Sequence, residues 1–224
     1  MFDAHLRSWI DPPLNAVAAW VARYLGANSV TISGFALGVG AAIALAFQLD
    51  LLALGLIIAN RIADGLDGAI ARRLGPTDVG GYLDIVLDFL FYALVPFGFA
   101  IGRPEFALSA LFLVVSFVGT GSSFLAFAAL AAKRGMTTEA RGRKSIYYLG
   151  GLAEGAETIA IFLAICIWPM YFAWFAYGFG GLCVLTTALR IVECCERLGS
   201  EGNQRASPSA GPNDDRNDQS ADMF

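Results

Sequence analysis

The chain has 224 residues, of which 57% are hydrophobic and only 15% are charged. Roughly a quarter of the residues in a soluble domain are charged, so the composition indicates a membrane protein with several spans. The formal net charge of −4 offers no basic surface that would indicate nucleic-acid binding. A single histidine, and four cysteines without metal-ligand spacing, argue against a site built on imidazole or thiolate.

The N-terminal segment predicts a surface helix. Residues 2–25 place apolar side chains at roughly helical spacing, and Pro12-Pro13 suits the first turn of a helix. The pattern is typical of an amphipathic helix that lies on the membrane surface. Ser29 and Thr31, just before the first apolar run, are candidate caps for the next helix.

Six apolar runs follow, separated by short polar turns. They predict membrane-spanning helices at 31–48, 51–73, 80–101, 105–132, 146–168 and 170–194. The expected fold class is therefore an all-α integral membrane protein with six transmembrane helices and an N-terminal amphipathic surface helix. Residues 1–198 form one membrane-embedded domain, and the polar residues 199–224 are predicted to be a disordered cytoplasmic tail.

The basic residues predict the orientation. Six spans put both termini on one side, and twelve of the fifteen Lys and Arg residues fall on that side. Only Arg103 falls in a loop on the other side, while Arg61 and Arg190 lie within spans. By the positive-inside rule the termini are cytoplasmic, in the inner membrane if the protein is bacterial.

Four aspartates lie near the cytoplasmic ends of the second and third spans, at intervals of three, seventeen and four residues: Asp64, Asp67, Asp84 and Asp88. Steps of three or four return to the same helix face, so antiparallel packing of the two helices would bring the four carboxylates together. Carboxylates suit Mg²⁺, Mn²⁺ or Ca²⁺, and two such ions suit phosphoryl chemistry. The interleaved glycines and Arg72 would let a phosphate-bearing ligand approach.

Two other interpretations are open for these aspartates. They could form structural ion pairs with the arginines nearby, namely Arg61, Arg72, Arg73 and Arg190. They could also relay protons or ions in a transporter. The aspartates gather at one membrane face instead of crossing the bilayer, which favours the metal–diphosphate site.

The motif residues, in the order Asp64, Asp67, Gly68, Ala71, Arg72, Gly81, Asp84 and Asp88, resemble the motif of the CDP-alcohol phosphatidyltransferases. Asn28 and Thr31 also resemble the family, although Ala27 stands where the family usually has proline. The resemblance implies metal-dependent transfer of a phosphatidyl group from CDP-diacylglycerol, or a similar donor, to a small alcohol with release of CMP. It also implies contact with membrane lipids. Dimers are common in this family, so a homodimer is one possible assembly, although the sequence does not give the oligomeric state.

The resemblance further implies roles for these residues. Asp64, Asp67, Asp84 and Asp88 would hold two divalent ions, Mg²⁺ or Mn²⁺, and Asp88 would also be the catalytic base. Gly68, Arg72, Asn28 and Thr31 would bind the nucleotide. Gly81 would allow the close approach of two helices.

The acceptor side is less defined by the sequence. Arg141, Lys144 and the intramembrane Arg190 are candidates for binding an anionic acceptor such as a sugar phosphate or glycerol phosphate. Alternatively, the loop residues are drawn to anionic lipid headgroups, and Arg190 pairs with Glu193, Glu154 or Glu157. Nothing in the sequence names the alcohol.

Overall fold

The computed structural model describes residues 14–133 and 155–206, with side chains as far as residue 196. Helix α1 covers residues 14–21. It is followed by α2 (Ala27–Ala46), α3 (Asp50–Leu74), α4 (Asp78–Gly102), α5 (Ala107–Lys133), α6 (Gly155–Ile167) and α7 (Phe172–Ala206). Two 3₁₀ turns, Pro104–Phe106 and Pro169–Tyr171, lead into α5 and α7. The described part of the chain contains no strand, which confirms the all-α prediction there.

Four helices are long and apolar enough to cross a membrane: α2, α4, and α5 and α7 together with their leading turns. Four of the six predicted spans therefore correspond to helices with the length and composition of a membrane span. Helix α3 has 25 residues, but its charged residues keep it out of this group. Helix α6 has 13 described residues. The first part of its predicted span, residues 146–154, lies outside the described part of the chain.

The observed helix boundaries correct the predicted caps of α2 and account for the turn between α3 and α4. Helix α2 begins directly after Gly26 without a side-chain cap, so Ser29 and Thr31 lie inside the helix rather than capping it. The Thr31 hydroxyl donates instead to the Ala27 carbonyl at 3.0 Å. At the other turn, α3 ends at Gly75 with a φ of 97°, a conformation that suits glycine. Thr77 then caps α4 by accepting from the Gly80 N–H at 3.1 Å.

Helix α2 is the support on which the aspartate-bearing helices are placed, because both α3 and α4 pack against it. Glycines make the α2–α4 contact close. A Cβ at Gly98 would collide with the carbonyl oxygen of Ala42, and one at Gly102 would lie 2.5 Å from that of Leu45. Small residues of this kind let helices in a membrane approach each other closely.

Aromatic side chains join this three-helix unit to the rest of the molecule. The rings of Phe99 and Phe172 stack with centroids 4.0 Å apart, and Phe91 meets Phe162 edge-on at 5.8 Å. These contacts connect α4 to α6 and α7, while α5 packs against α4 and α7. The result is one continuous apolar core.

A polar clamp lies at the end of α3 and α4 that is remote from the aspartates. Arg103 Nη2 is 2.6 Å from Asp50 Oδ2, and its guanidinium lies over the Phe99 ring. Gln48 donates from Nε2 to the Gly102 carbonyl at 2.6 Å. The turn between α2 and α3 is thereby tied to the C-terminal end of α4.

The two ends of the chain are described only in part. Helix α1 packs through Ala18 into a small cluster with Val30, Ala69 and Ile70, while Trp20 is exposed. Its position on the membrane surface stays a prediction. Helix α7 continues to Ala206, past the expected start of the tail at residue 199, because the first proline after α7 is Pro208. Residues 1–13 and 207–224 lie outside the described part.

Candidate functional site

The four aspartates line one small cavity near the joined ends of α3 and α4. Asp64 and Asp67 come from α3, and Asp84 and Asp88 from α4; these four are called the aspartate cluster below. The cavity has a volume of about 20 Å³, which is room for one water molecule or an ion of similar size. The spacing therefore predicted correctly that the four side chains would meet.

Helix α2 forms the third wall of this cavity, through Thr31, Gly34 and Phe35. This differs from the simple expectation that α3 and α4 alone would pair around the carboxylates. The hydrophobic pattern of α2 shows that it is a helix, but it does not show which neighbours the helix has. In the sequence, the available signal for this role of α2 was that Thr31 and Gly34, a polar and a small residue, share one helix face.

A cation of the protein itself lies within the aspartate cluster. Arg61 Nη1 is 2.8 Å from Asp88 Oδ1 and 3.7 Å from Asp64 Oδ2. The ion-pair interpretation is therefore correct for Arg61. Arg73, by contrast, donates to the Asn15 carbonyl at 3.2 Å. Site prediction from the motif omitted Arg61, although its position three residues before Asp64 places both on one helix face.

The donor atoms of the cluster fit a hard divalent cation. They are carboxylate oxygens, which suit Mg²⁺ and Mn²⁺. Asp67 Oδ2 is buried and has no hydrogen-bond partner among the residues that the structure describes, so a bound cation would satisfy it. Within residues 14–133 and 155–196, however, no three His, Cys, Asp or Glu side chains are grouped so as to hold an ion. Arg61 contacts one oxygen each of Asp88 and Asp64, so a cation of the protein already engages these two oxygens.

A larger cavity of about 420 Å³ adjoins the first and holds the predicted nucleotide residues. Asn28, Thr31, Gly68 and Gly81 all line it, together with Asp67 and Asp84. The volume falls in the range of small-molecule sites. Arg72 is not among the lining residues, but its guanidinium is near Gly68, where a Cβ would be 3.4 Å from Arg72 Nη1. The structure thus brings together residues that are far apart in the sequence.

The described residues give no support to the expected role of Gly81 in close helix approach. Among residues 14–133 and 155–196, a Cβ at Gly81 would meet nothing within 4 Å, and Gly81 lines the larger cavity. The tight position is its neighbour Gly80, where a Cβ would lie 3.0 Å from both Asn28 Oδ1 and Thr77 Oγ1. Three residues separate Gly80 from Asp84, and two separate Gly81 from it.

A third cavity, of about 160 Å³, contains Arg190 and is lined by residues of α4, α5, α6 and α7. The guanidinium donates from Nη1 to the Thr120 carbonyl at 3.1 Å and lies 5.8 Å from the Phe124 ring centroid. Tyr92 lines this cavity, and its ring centroid is 5.9 Å from Arg61 Cζ. The Arg190 cavity is thus separate from the aspartate cluster but next to it. Arg141 and Lys144, like Glu154, lie outside the described residues.

Comparison with known proteins adds to this geometry. A family model for CDP-alcohol phosphatidyltransferases matches residues 24–190. The inner membrane protein YnjF of Escherichia coli (strain K12) is 52% identical over 193 residues, covering 85% of this chain and 94% of that protein. The archaetidylinositol phosphate synthase of Methanothermobacter thermautotrophicus is 30% identical over 169 residues, covering 73% and 74% respectively.

A solved structure shares the fold. The crystal structure of Mycobacterium tuberculosis phosphatidylinositol phosphate synthase (PgsA1) with CDP-DAG bound is similar to this chain with a TM-score of 0.66. The sequence identity is 21%, and the similarity covers 81% of this chain and 93% of that one. The comparisons give no support to the transporter interpretation.

Proposed function

Since the chain belongs to the CDP-alcohol phosphatidyltransferases, we propose that it transfers a phosphatidyl group from a CDP-linked lipid to a small alcohol and releases CMP. The alcohol oxygen bonds to the phosphorus on the lipid side of the diphosphate. The bond from that phosphorus to the CMP oxygen breaks, and the hydroxyl proton passes to a base. CDP-diacylglycerol, the ligand named for the PgsA1 structure, is the donor proposed for this chain.

The observation that carries the proposal is the shared wall between two cavities. Thr31, Asp67 and Asp84 line both the aspartate cluster and the larger cavity beside it. A nucleotide in the larger cavity, among Asn28 and Gly68, would therefore place its diphosphate against the carboxylates. Arg72 supplies a cation beside Gly68, and its guanidinium would pair with phosphate oxygens.

The aspartate cluster provides both ligands and a base. Asp64, Asp67, Asp84 and Asp88 would hold two Mg²⁺ or Mn²⁺ ions, which when bound neutralise the diphosphate and the leaving CMP. Asp88 accepts the proton of the acceptor hydroxyl, and its carboxylate interacts with Tyr92, which lines the Arg190 cavity. A carboxylate can serve in this role when it is held within hydrogen-bond reach of the hydroxyl.

The Arg190 cavity suits an anionic acceptor. Its volume of about 160 Å³ and its fixed guanidinium match a small phosphorylated alcohol. Two relatives are named as synthases of inositol phosphate lipids, which favours a phosphorylated polyol over serine. Arg141 and Lys144 are proposed as further contacts of the acceptor phosphate.

The proposed orientation places the site on the cytoplasmic face of the membrane. The four apolar helices and the similarity to an inner membrane protein support an integral membrane protein. The basic residues around the cluster end of α3, including Arg72 and Arg73, support cytoplasmic termini and a cytoplasmic site. Six spans in all, with α3 and a longer α6 included, would satisfy this topology.

The test is release of CMP by the full chain, purified in detergent, from CDP-diacylglycerol. The reaction would be run with Mg²⁺, Mn²⁺ or EDTA and with glycerol 3-phosphate, inositol, inositol phosphate or serine as acceptor. We expect metal-dependent CMP release with a phosphorylated acceptor. Absence of CMP with every acceptor would refute the proposal, and turnover in EDTA would refute the metal dependence.

Light scattering of the same sample tests the proposed homodimer.

A further inference from the structure

Arg61 is held in place by groups outside the aspartate cluster. Its Nε donates to Asn60 Oδ1 at 2.7 Å, and its Cζ lies 4.6 Å from the centroid of the Phe91 ring. Both neighbours are fixed in turn, since Asn60 is 3% exposed and Phe91 is fully buried. A guanidinium held along one edge and over one face keeps its position with little dependence on the carboxylates.

The glycines of α2 make this anchor possible. Asn60 donates from Nδ2 to the Gly34 carbonyl at 2.8 Å. A Cβ at Gly38 would lie 2.6 Å from Phe91 Cδ2 and 3.3 Å from Asn60 Nδ2. Helix α2 therefore holds Asn60 through the Gly34 carbonyl and leaves room for Phe91 and the Asn60 side chain at Gly38, one turn further along.

The anchored guanidinium engages the aspartates unequally. It contacts Asp88 Oδ1 at 2.8 Å and reaches Asp64 Oδ2 at 3.7 Å. Asp88 Oδ1 is buried although the side chain as a whole is 28% exposed, so the exposure falls on its other atoms. Arg61 contacts Oδ1 and leaves Oδ2 uncontacted, so the ion pair orients the carboxylate of Asp88.

We propose that Arg61 is a resident cation of the aspartate cluster: a positioning residue that holds Asp88 by one oxygen and limits how tightly the cluster binds divalent ions. A fixed positive charge beside two carboxylates opposes the entry of a dication and competes for the same oxygens. Ion binding is thereby weakened, while the oriented Asp88 favours turnover. The effect on turnover rests on the function proposed above, but the effect on ion binding does not.

A purely structural ion pair makes a different prediction. Removing a structural arginine would loosen the cluster, so ion affinity and turnover would fall together. Removing a resident cation should change them in opposite directions. The experiment therefore measures ion affinity and turnover on the same full-length protein in detergent.

The decisive variant is Arg61→Gln, with Mn²⁺ as the probe. Free Mn²⁺ would be titrated by electron paramagnetic resonance in the absence of nucleotide and lipid substrate. We expect Arg61→Gln to bind Mn²⁺ at least about tenfold more tightly than the wild type, because a competing charge is gone. We expect its kcat to fall by about tenfold or more, with the KM for CDP-diacylglycerol changed by less than about threefold.

Two further variants separate charge from geometry. Arg61→Lys keeps the charge but cannot contact Asn60 and Asp88 together, so Mn²⁺ affinity should stay near that of the wild type while kcat falls. Arg73→Gln removes a charge from the same helix outside the cluster, and it should alter neither quantity. Thermal unfolding identifies any variant that is not folded. If Arg61→Gln proves to be unfolded, the Arg61→Lys variant decides, since we expect it to keep the Mn²⁺ affinity of the wild type while its kcat falls.

The outcomes that overturn the proposal are distinct. Equal or weaker Mn²⁺ binding by folded Arg61→Gln would show that Arg61 does not limit ion binding. An unchanged kcat in Arg61→Lys would remove the positioning role. If the wild type releases no CMP with any acceptor, the proposed function fails while the Mn²⁺ comparison still tests the resident cation. Failure of both wild type and Arg61→Gln to bind Mn²⁺ would overturn the inference.

Discussion

Replacing Gly98 by alanine should weaken the contact between α2 and α4. The added Cβ would collide with the carbonyl oxygen of Ala42 and lie 2.8 Å from both its Cα and its carbonyl carbon. Since non-bonded carbons pack at about 3.5–4 Å, the two helices would have to separate by roughly 1 Å. Overpacking of this kind costs about 1–3 kcal/mol, and alanine returns at most about 1 kcal/mol of helix propensity. A net loss of about 1–2 kcal/mol is expected.

Thermal unfolding of the purified protein in detergent measures this loss. For a chain of this length, about 1–2 kcal/mol corresponds to a Tm lower by about 2–8 °C. Gly55→Ala is the matched control, since a Cβ at Gly55 would meet nothing within 4 Å, and its Tm should equal or slightly exceed that of the wild type. A Gly98→Ala protein as stable as Gly55→Ala would refute the close α2–α4 contact. Gly98 is about 15 Å along the helix from Asp88, so turnover of the folded fraction should survive.

Three further predictions concern charged side chains. Asp88→Asn should abolish CMP release while leaving the Tm and CDP binding near wild type, and retained turnover would exclude Asp88 as the base. Arg190→Ala should raise the KM for the alcohol far more than the KM for CDP-diacylglycerol, whereas equal effects would indicate a structural role. Arg103→Met should lower the stability by roughly 3 kcal/mol, because it leaves the carboxylate of Asp50 buried without its cation. Adding Asp50→Asn to Arg103→Met should recover much of that loss, and a double variant no more stable than the single one would contradict this reasoning.

The aspartates were predictable because helix geometry is local. A step of three from Asp64 to Asp67, and a step of four from Asp84 to Asp88, each fix a shared face wherever the helix lies. The short connection between α3 and α4 then keeps the two pairs at the same end. Hydrophobic runs likewise predicted α2, α4, α5 and α7 as spans, because length and apolar composition decide that property directly.

Packing partners and side-chain choices were not predictable in this way. No pattern in α2 shows that Gly38 would make room for Asn60 and Phe91, since that depends on which helices become neighbours. The sequence allowed Arg61 to pair with any nearby aspartate, and only the fold selects Asp88. Gly81 and Gly80 are adjacent and chemically identical, so their different surroundings follow from the direction in which each faces.

The clamp at the remote end of α3 and α4 has a consequence for how the molecule can diversify. Asp50, Gln48, Gly102 and Arg103 tie that end, and a three-residue connection joins the other, so α2, α3 and α4 form a frame closed at both ends. The larger cavity lies inside this frame, whereas α5, α6 and α7 supply most of the wall around Arg190. If these cavities take the donor and the acceptor as proposed, a descendant of this chain could exchange one alcohol for another through changes in the second half alone. The frame proposed to bind the activated lipid would be inherited unaltered.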